Sequence, residues 1–171
     1  MNASLFEESS AKISGDGLYR YNLIRQWDLD LPRVLFVMLN PSTADGQSDD
    51  PTVRRCIGFA RTWGFGSIEI VNLFAWRATN PRELAKVEDP VGFLNESSLR
   101  IARERSSLVI AAWGADPMVR VGERLAIDVF WNMSCLGRTK GGSPRHPLYV
   151  AGAQAPEPYL RDGYVIRERA T

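Results

Sequence analysis

His146 is the only histidine in the chain, and it precedes a proline in the turn-rich string GGSPRHPLY. A neutral imidazole held in such a loop can donate a hydrogen bond to an oxygen that turns negative as a base departs. Two asparagines close apolar runs of buried-strand type, Asn40 in VLFVMLNPST and Asn72 in IEIVNLFAW. A side-chain amide carries one acceptor and two donors on a flat frame, which matches the O4 and N3–H edge of uracil or thymine. Together the three side chains suggest a crevice that reads a nucleobase. Plainer roles stand beside this one: the asparagines can tie the turns that follow them, and the histidine can pin its own loop.

Other candidates surround these three. Asp45, Asp49 and Asp50 lie just past Asn40. One of them could activate water or bind a cation; helix capping and a solvated loop are the plainer account of Asp49 and Asp50, and Asp45 stays open as a catalytic candidate. Arg54, Arg55, Arg77 and Arg145 are candidate phosphate contacts, and a helix starting at Pro51 would add a favourable dipole. Arg61 reads as part of a solvated helix face. Ser42 with His146 as base would make a nucleophile pair, but the GxSxG setting and a clear third member are missing. Ser42 is therefore carried as a binding residue, together with Trp113 at the end of LVIAAW. Gly141, Gly142 and Pro144 describe either a loop that closely approaches a ligand or an ordinary surface turn.

Composition narrows the class. The chain has 171 residues, is 44% hydrophobic and 24% charged, and carries a net charge of +1. That length supports a single domain with a real core, and that charge implies no bulk attraction to nucleic acid or membrane. Arginine far outnumbers lysine, which is confined to Lys12, Lys86 and Lys140. Cys56 and Cys135 form no CxxC pair, so neither a disulfide framework nor a zinc site is expected, and no metal or cofactor is expected with one histidine. The N-terminus lacks a signal-type apolar core, and no apolar run reaches the roughly 18 residues of a membrane span. A cytoplasmic protein is expected. Nothing bears on its oligomeric state.

The elements that must position these residues follow from periodicity. Residues 1–18 read as a flexible arm and 19–171 as one α/β domain. YRYNLIRQW, residues 19–27, alternates as an edge strand does. Residues 34–39 are apolar throughout, as a strand covered on both faces should be. Residues 67–74, 108–113 and 133–136 predict three more strands. Asp49 or Asp50 followed by Pro51 predicts a helix start, with Val53, Cys56, Ile57 and Ala60 at helical spacing. Asn80 and Pro81 predict a short helical turn ending near Lys86, and a further helix is predicted over roughly 91–105. Asp116 and Pro117 predict another start, with Met118, Val121, Leu125 and Val129 at helical spacing. The tail from Pro156 onward predicts at most a strand over 164–167. The expected fold is a three-layer α/β/α domain with a mainly parallel four-stranded central sheet, plus an N-terminal edge strand or hairpin. Ligands of such sheets bind beyond the carboxyl ends of the strands, where the strand order reverses.

RYNLIRQW, LNPSTAD, DPTVRRC, NLFAWRATNP, AAWG and GGSPRHPLY together resemble the bacterial and phage family named domain of unknown function 1643, over about residues 19–149. That family brings no established activity. The order of motifs is also similar, more remotely, to the uracil-DNA glycosylase superfamily. That resemblance implies that Asn40 positions water, Asn72 reads the base, Trp113 and Gly114 end the third strand, and His146 with Pro147 stabilises the departing base. It further implies that Leu148 is a wedge filling the space of a flipped base. Met38 stands where the superfamily has glycine, and Leu148 where it has serine. An asparagine at position 40 orients water but cannot take its proton.

The expected function is binding of a nucleobase or nucleotide, free or in DNA, with hydrolysis of an N-glycosidic bond as the expected reaction. The rival is a non-catalytic module on the same scaffold, binding a nucleotide or a protein partner.

Overall fold

The computed structural model describes residues 8–42, 44–161 and 164–166. Its centre is four parallel strands: β3 (Arg33–Met38), β4 (Ser67–Asn72), β5 (Leu108–Ala111) and β6 (Met133–Cys135), adjacent in the order β4-β3-β5-β6. Helix α1 (Pro51–Thr62) joins β3 to β4, α2 (Asn95–Glu104) joins β4 to β5, and α3 (Val119–Val129) joins β5 to β6. The unbroken apolar run of β3 has a direct cause. Val34 and Phe36 pack with Val53, Cys56 and Phe59 of α1, while Leu35 and Val37 pack with residues of α2 and α3 on the opposite face. Each such side chain, fully buried, contributes on the order of 1.5–3 kcal/mol. From β3 the chain goes one way to β4 and then crosses over to β5 on the other side of β3. The strand order therefore reverses between β3 and β5, the place beyond whose carboxyl ends ligands of open α/β sheets bind.

Antiparallel hairpins extend this core to an eight-stranded mixed sheet, β1-β2-β4-β3-β5-β6-β7-β8. On one side β1 (Glu8–Ile13) pairs with β2 (Arg20–Gln26), and β2 pairs with β4. On the other, β7 (Glu157–Arg161) pairs with β6 and with β8 (Tyr164–Val165). Three expectations are corrected here. The sheet extends to eight strands, beyond the four central ones and the N-terminal edge strand or hairpin expected. The flexible arm is in part the edge strand β1, whose polar composition reflects its exposure at the sheet edge; residues 1–7 lie outside the described residues. β2, expected at the edge, is an inner strand. Strand β7 was hidden by Pro156 and Pro158, which a short strand next to the sheet edge tolerates at a register irregularity. Arg167, the last residue of the strand expected there, lies outside the described residues.

Local start signals mostly held. Asp50 caps α1 by accepting the Val53 N–H at 2.8 Å, and Asn80 caps the 3-10 turn Pro81–Lys86 by accepting the Arg82 N–H at 3.0 Å. Helix α3 begins at Val119, because Asp116 takes the Met118 N–H at 2.9 Å in a turn ahead of the helix. Helix α2 begins at Asn95, four residues later than its apolar pattern suggested. Gly92, at φ +88°, bends the chain just before it.

Two buried charges organise the β2 side. Glu69 is fully buried, taking Arg105 Nε at 2.7 Å, Arg33 at 3.5 Å and the Asn22 amide at 3.2 Å. Arg25, also fully buried, reaches Asp49 at 2.8 Å and the main-chain oxygens of Ile24 and Asp45 at 2.9 and 2.6 Å. It thereby locks the loop after β3 onto β2.

Candidate functional site

The loop that leaves β3 is held by its own polar side chains. Asn40 Nδ2 donates to the Ala78 carbonyl at 2.7 Å, stapling the loop after β3 to the loop after β4. Ser42 donates to Asp50 Oδ2 at 3.0 Å, while Asp50 Oδ1 caps α1. Asp45 Oδ1 accepts the Gln47 and Ser48 N–H groups, each at 2.8 Å. These main-chain donors hold the Asp45 carboxyl below the usual carboxylate range. Asp45 is thus the pivot of a turn, a common role for an aspartate at such a position.

Arg20 and Arg77 line up beneath this loop. The bridge between Tyr19 and Trp76 pairs the two segments antiparallel, with the Arg20 N–H bonded to Ala75 O and the Arg77 N–H to Leu18 O. Arg20 and Arg77 are therefore diagonal neighbours on one face. Arg20 is 3% exposed and donates from Nη1 to Ala44 O at 2.7 Å, and Arg77 donates to Gly17 O at 3.1 Å. Burial pushes the Arg20 guanidinium down to about 10; the Asp50 carboxylate opposes that fall and Arg77 adds to it. The Nε atoms of both arginines are buried and lack a hydrogen-bond partner among the described residues.

His146 stands at the base of a hairpin over residues 137–145, closed by Thr139 N–H to Ser143 O and Arg145 N–H to Gly137 O, both at 2.9 Å. Its Nδ1 accepts the Leu148 N–H at 3.3 Å and so starts the 3-10 turn Pro147–Tyr149. An acceptor at Nδ1 assigns the neutral imidazole its proton at Nε2, leaving that N–H as a donor. Arg55 of α1 donates to Pro147 O at 3.3 Å and to Val150 O, so this arginine clamps the turn to α1. Gly114, whose φ of +78° is what favours glycine there, lies against His146 just beyond β5: a Cβ at Gly114 would stand in ordinary contact, 3.7 Å from that of His146. Leu148 is 44% exposed beside it, and Arg145 turns to the Arg138 carbonyl at 3.1 Å.

Burial lowers the His146 pKa from its ordinary 6.5, and the Asp50 carboxylate works against that shift. A base whose folded pKa is depressed adds stability that is complete above 6.5 and is lost as pH falls through the lower, folded value. Because His146 is the sole histidine, its ring protons report without overlap in a proton NMR titration. The midpoint is expected below 6.5, and Asp50→Asn is expected to lower it further. A midpoint at or above 6.5 would contradict the buried, neutral imidazole.

Asn72 is 1% exposed and pairs in register with Met38, so its side chain faces α1, the helix that also clamps the His146 turn. Both its amide atoms are without a partner among the described residues. A buried amide unpaired in this way costs on the order of 1–3 kcal/mol unless water or a ligand completes it. Its main-chain oxygen takes the Asn95 amide at 2.9 Å, and Leu73 O takes the same group at 3.1 Å. Trp113 behaves differently. It is 3% exposed and packs edge-on against Tyr159 at 5.7 Å in the core beneath α2 and α3.

Asn72 and the His146 turn thus share the α1 side of the sheet, and Trp113 lies on the other side as core. Asn40, Ser42 and Asp45 sit in the loop that leaves the carboxyl end of β3 with bonds already made, and Arg55 is tied to main chain. Sequence reasoning missed Arg20, whose signal was an arginine inside an otherwise strand-like run. It also reduced Asp50 to a cap, although this carboxylate links Ser42, α1 and the electrostatics of His146. The role of Asn95 had no signal beyond an asparagine near a helix start.

No helix among the described residues is long and apolar enough to cross a membrane, and no three His, Cys, Asp or Glu among them are grouped to hold a metal ion. No curated protein and no solved structure matches the chain. Residues 20–148 match the family described as protein of unknown function, DUF1643, and the chain belongs to that family.

Proposed function

We propose that the chain is a three-layer α/β/α domain of uracil-DNA glycosylase type that binds a nucleobase or nucleotide in the crevice between β3 and β5. The observation that carries the reading is the His146 imidazole, with Nδ1 occupied by the Leu148 N–H and Nε2–H left to donate, beside Gly114. The unpaired amide of Asn72 on the same side of the sheet supports it, since a base edge supplies the complementary donor and acceptor.

The reaction that fits these groups is hydrolysis of an N-glycosidic bond. The bond between base and sugar breaks, and the base leaves with its electron pair. The Nε2–H of His146 holds the oxygen on which the negative charge gathers. A water oriented by Asn40 Oδ1 adds to the sugar carbon, and the proton it loses passes to solvent. Leu148, exposed at the mouth, fills the space of a base drawn from the stack.

DNA carrying uracil, hypoxanthine or other altered bases is the direct test, with released base as the readout. His146→Ala is expected to slow release by about 100-fold, the usual effect of losing one such donor. Absence of release from every substrate overturns the reaction. A second reading, binding without cleavage, is favoured by one observation: the Asp45 carboxylate is committed to the Gln47 and Ser48 N–H groups, and Asn40, an amide, cannot take a proton, so neither supplies a general base. That reading predicts a saturable complex with a base or nucleotide and intact DNA.

A further inference from the structure

A groove of about 1040 Å³ lies between the start of α3, the tip of the hairpin 138–143 and the β7–β8 edge of the sheet. None of these segments carries Asn40, Asn72 or His146. The chemistry of its lining is lopsided. Arg120, Arg138 and Lys140 face it, and neither Arg120 nor Lys140 has a side-chain hydrogen bond or ion pair among the described residues. Arg138 uses Nη2 on the Pro158 carbonyl at 2.6 Å, and its buried Nε has no partner among the described residues. The two carboxylates of the groove are each already engaged. Asp116 accepts the Met118 N–H at 2.9 Å, and Glu123 accepts the Tyr159 hydroxyl at 3.1 Å. Among the described residues three cationic side chains meet two carboxylates there, so the groove is net positive and suits a partner rich in acceptor oxygens and negatively charged.

We propose that this groove is a binding site for an organic phosphate of about nucleotide size. Arginine and lysine converging from α3 and the hairpin recognise the phosphoryl oxygens, and Gly141 and Gly142 at the hairpin tip allow main chain to approach them. A Cβ at Gly142 would meet nothing within 4 Å, so the tip is open on that side. Val119, Ile166 and the Tyr159 ring form an apolar floor for the organic part. The groove has room for more than a lone inorganic anion. Pockets for small organic ligands run to roughly 300–1,000 Å³, and this groove stands at the top of that range. The site is independent of the glycosylase reading, and either stands if the other fails.

The test is calorimetric titration of the full chain with ADP, UDP, uridine and inorganic phosphate. Wild type is expected to bind at least one of the two diphosphates, with uridine and inorganic phosphate each at least tenfold weaker. Arg120→Gln with Lys140→Gln, both at the surface, is expected to weaken that binding at least tenfold, while the charge control Arg100→Gln, exposed on α2 and remote from both sites, leaves it within twofold. No binding of either diphosphate overturns the proposal. So does equal binding by the double variant, or inorganic phosphate binding as tightly as the diphosphates. Undiminished binding by the double variant together with a tenfold loss in His146→Ala puts the ligand in the β3–β5 crevice and overturns the groove while leaving the nucleotide reading intact.

Discussion

Glu69→Ala is expected to destabilise the fold by about 2–4 kcal/mol, read as a shift of the urea midpoint with little change in slope. Glu69 is fully buried and is the shared partner of Arg105, Arg33 and Asn22. Its removal strands two guanidiniums next to the core of the α2 side. The cost straddles the lower end of the range for a broken buried pair, roughly 3–5 kcal/mol, because one partner can turn to water. The Arg105 side chain is 39% exposed, whereas that of Arg33 is 15% exposed. Arg105→Gln alone is accordingly expected to cost less than Glu69→Ala, and a double-mutant cycle through Glu69→Gln is expected to show coupling between the two. Independent, additive effects would mean that Glu69 is satisfied by some other arrangement.

Arg25→Met is expected to cost a comparable amount, about 2–4 kcal/mol, and in addition to disturb the site. One side chain here bonds a carboxylate and several main-chain oxygens from β1, β2 and the loop after β3. Methionine matches its length but leaves those acceptors without donors, and each unpaired group costs about 1–3 kcal/mol, less where water can enter. The effect should be graded in space. Amide exchange at Gln47 and Ser48, whose N–H groups bond to Asp45 Oδ1, is expected to speed up well before that of β5. Ligand binding at the crevice is expected to weaken with it, because Ser42 and Asp50 belong to the same loop. Arg25→Lys should not restore binding, since an ammonium lacks the planar fork that serves Asp49 and Asp45 together. Unchanged exchange at Gln47 and Ser48 in Arg25→Met would show that the loop does not depend on β2.

The two variants also separate stability from function. Glu69 lies on the α2 face and bonds nothing in the crevice, so Glu69→Ala should lower the melting temperature while the surviving folded fraction still binds. Arg25→Met should weaken both properties. A variant of the first kind that abolished binding in the folded state would tie the two faces of the sheet together more closely than their separate packing clusters imply.

Much of the scaffold was legible in the residues taken alone. The apolar run of β3, the Asp50–Pro51 start of α1 and the Asn80–Pro81 turn are local signals: period, cap and proline act within a few residues, and the chain obeys them wherever it folds. Family membership was legible for a similar reason, since short strings such as LNPSTAD and GGSPRHPLY keep their order along the chain. Proline content concealed β7, and the polar pattern of residues 8–13 concealed β1, because strands at or beside an edge gain their hydrogen bonds from a neighbour and need little apolar surface of their own.

Which side chains were free to act was decided only in three dimensions. Asn40, Asp45 and Arg55 have the right chemistry for a site, yet each spends its donors or acceptors on main chain that is distant or unmarked in sequence: Ala78, the Gln47–Ser48 turn, and Pro147 with Val150. Trp113 became core because residues beyond β5 alternate between faces and it falls on the α3 side. Asn72 and Arg20 were left buried with unpaired atoms, a property no pattern of residue types can express. A hydrogen bond has one geometry and a side chain few donors, so its availability is settled by whichever backbone the fold brings within 3 Å or so, and that is a matter of tertiary structure.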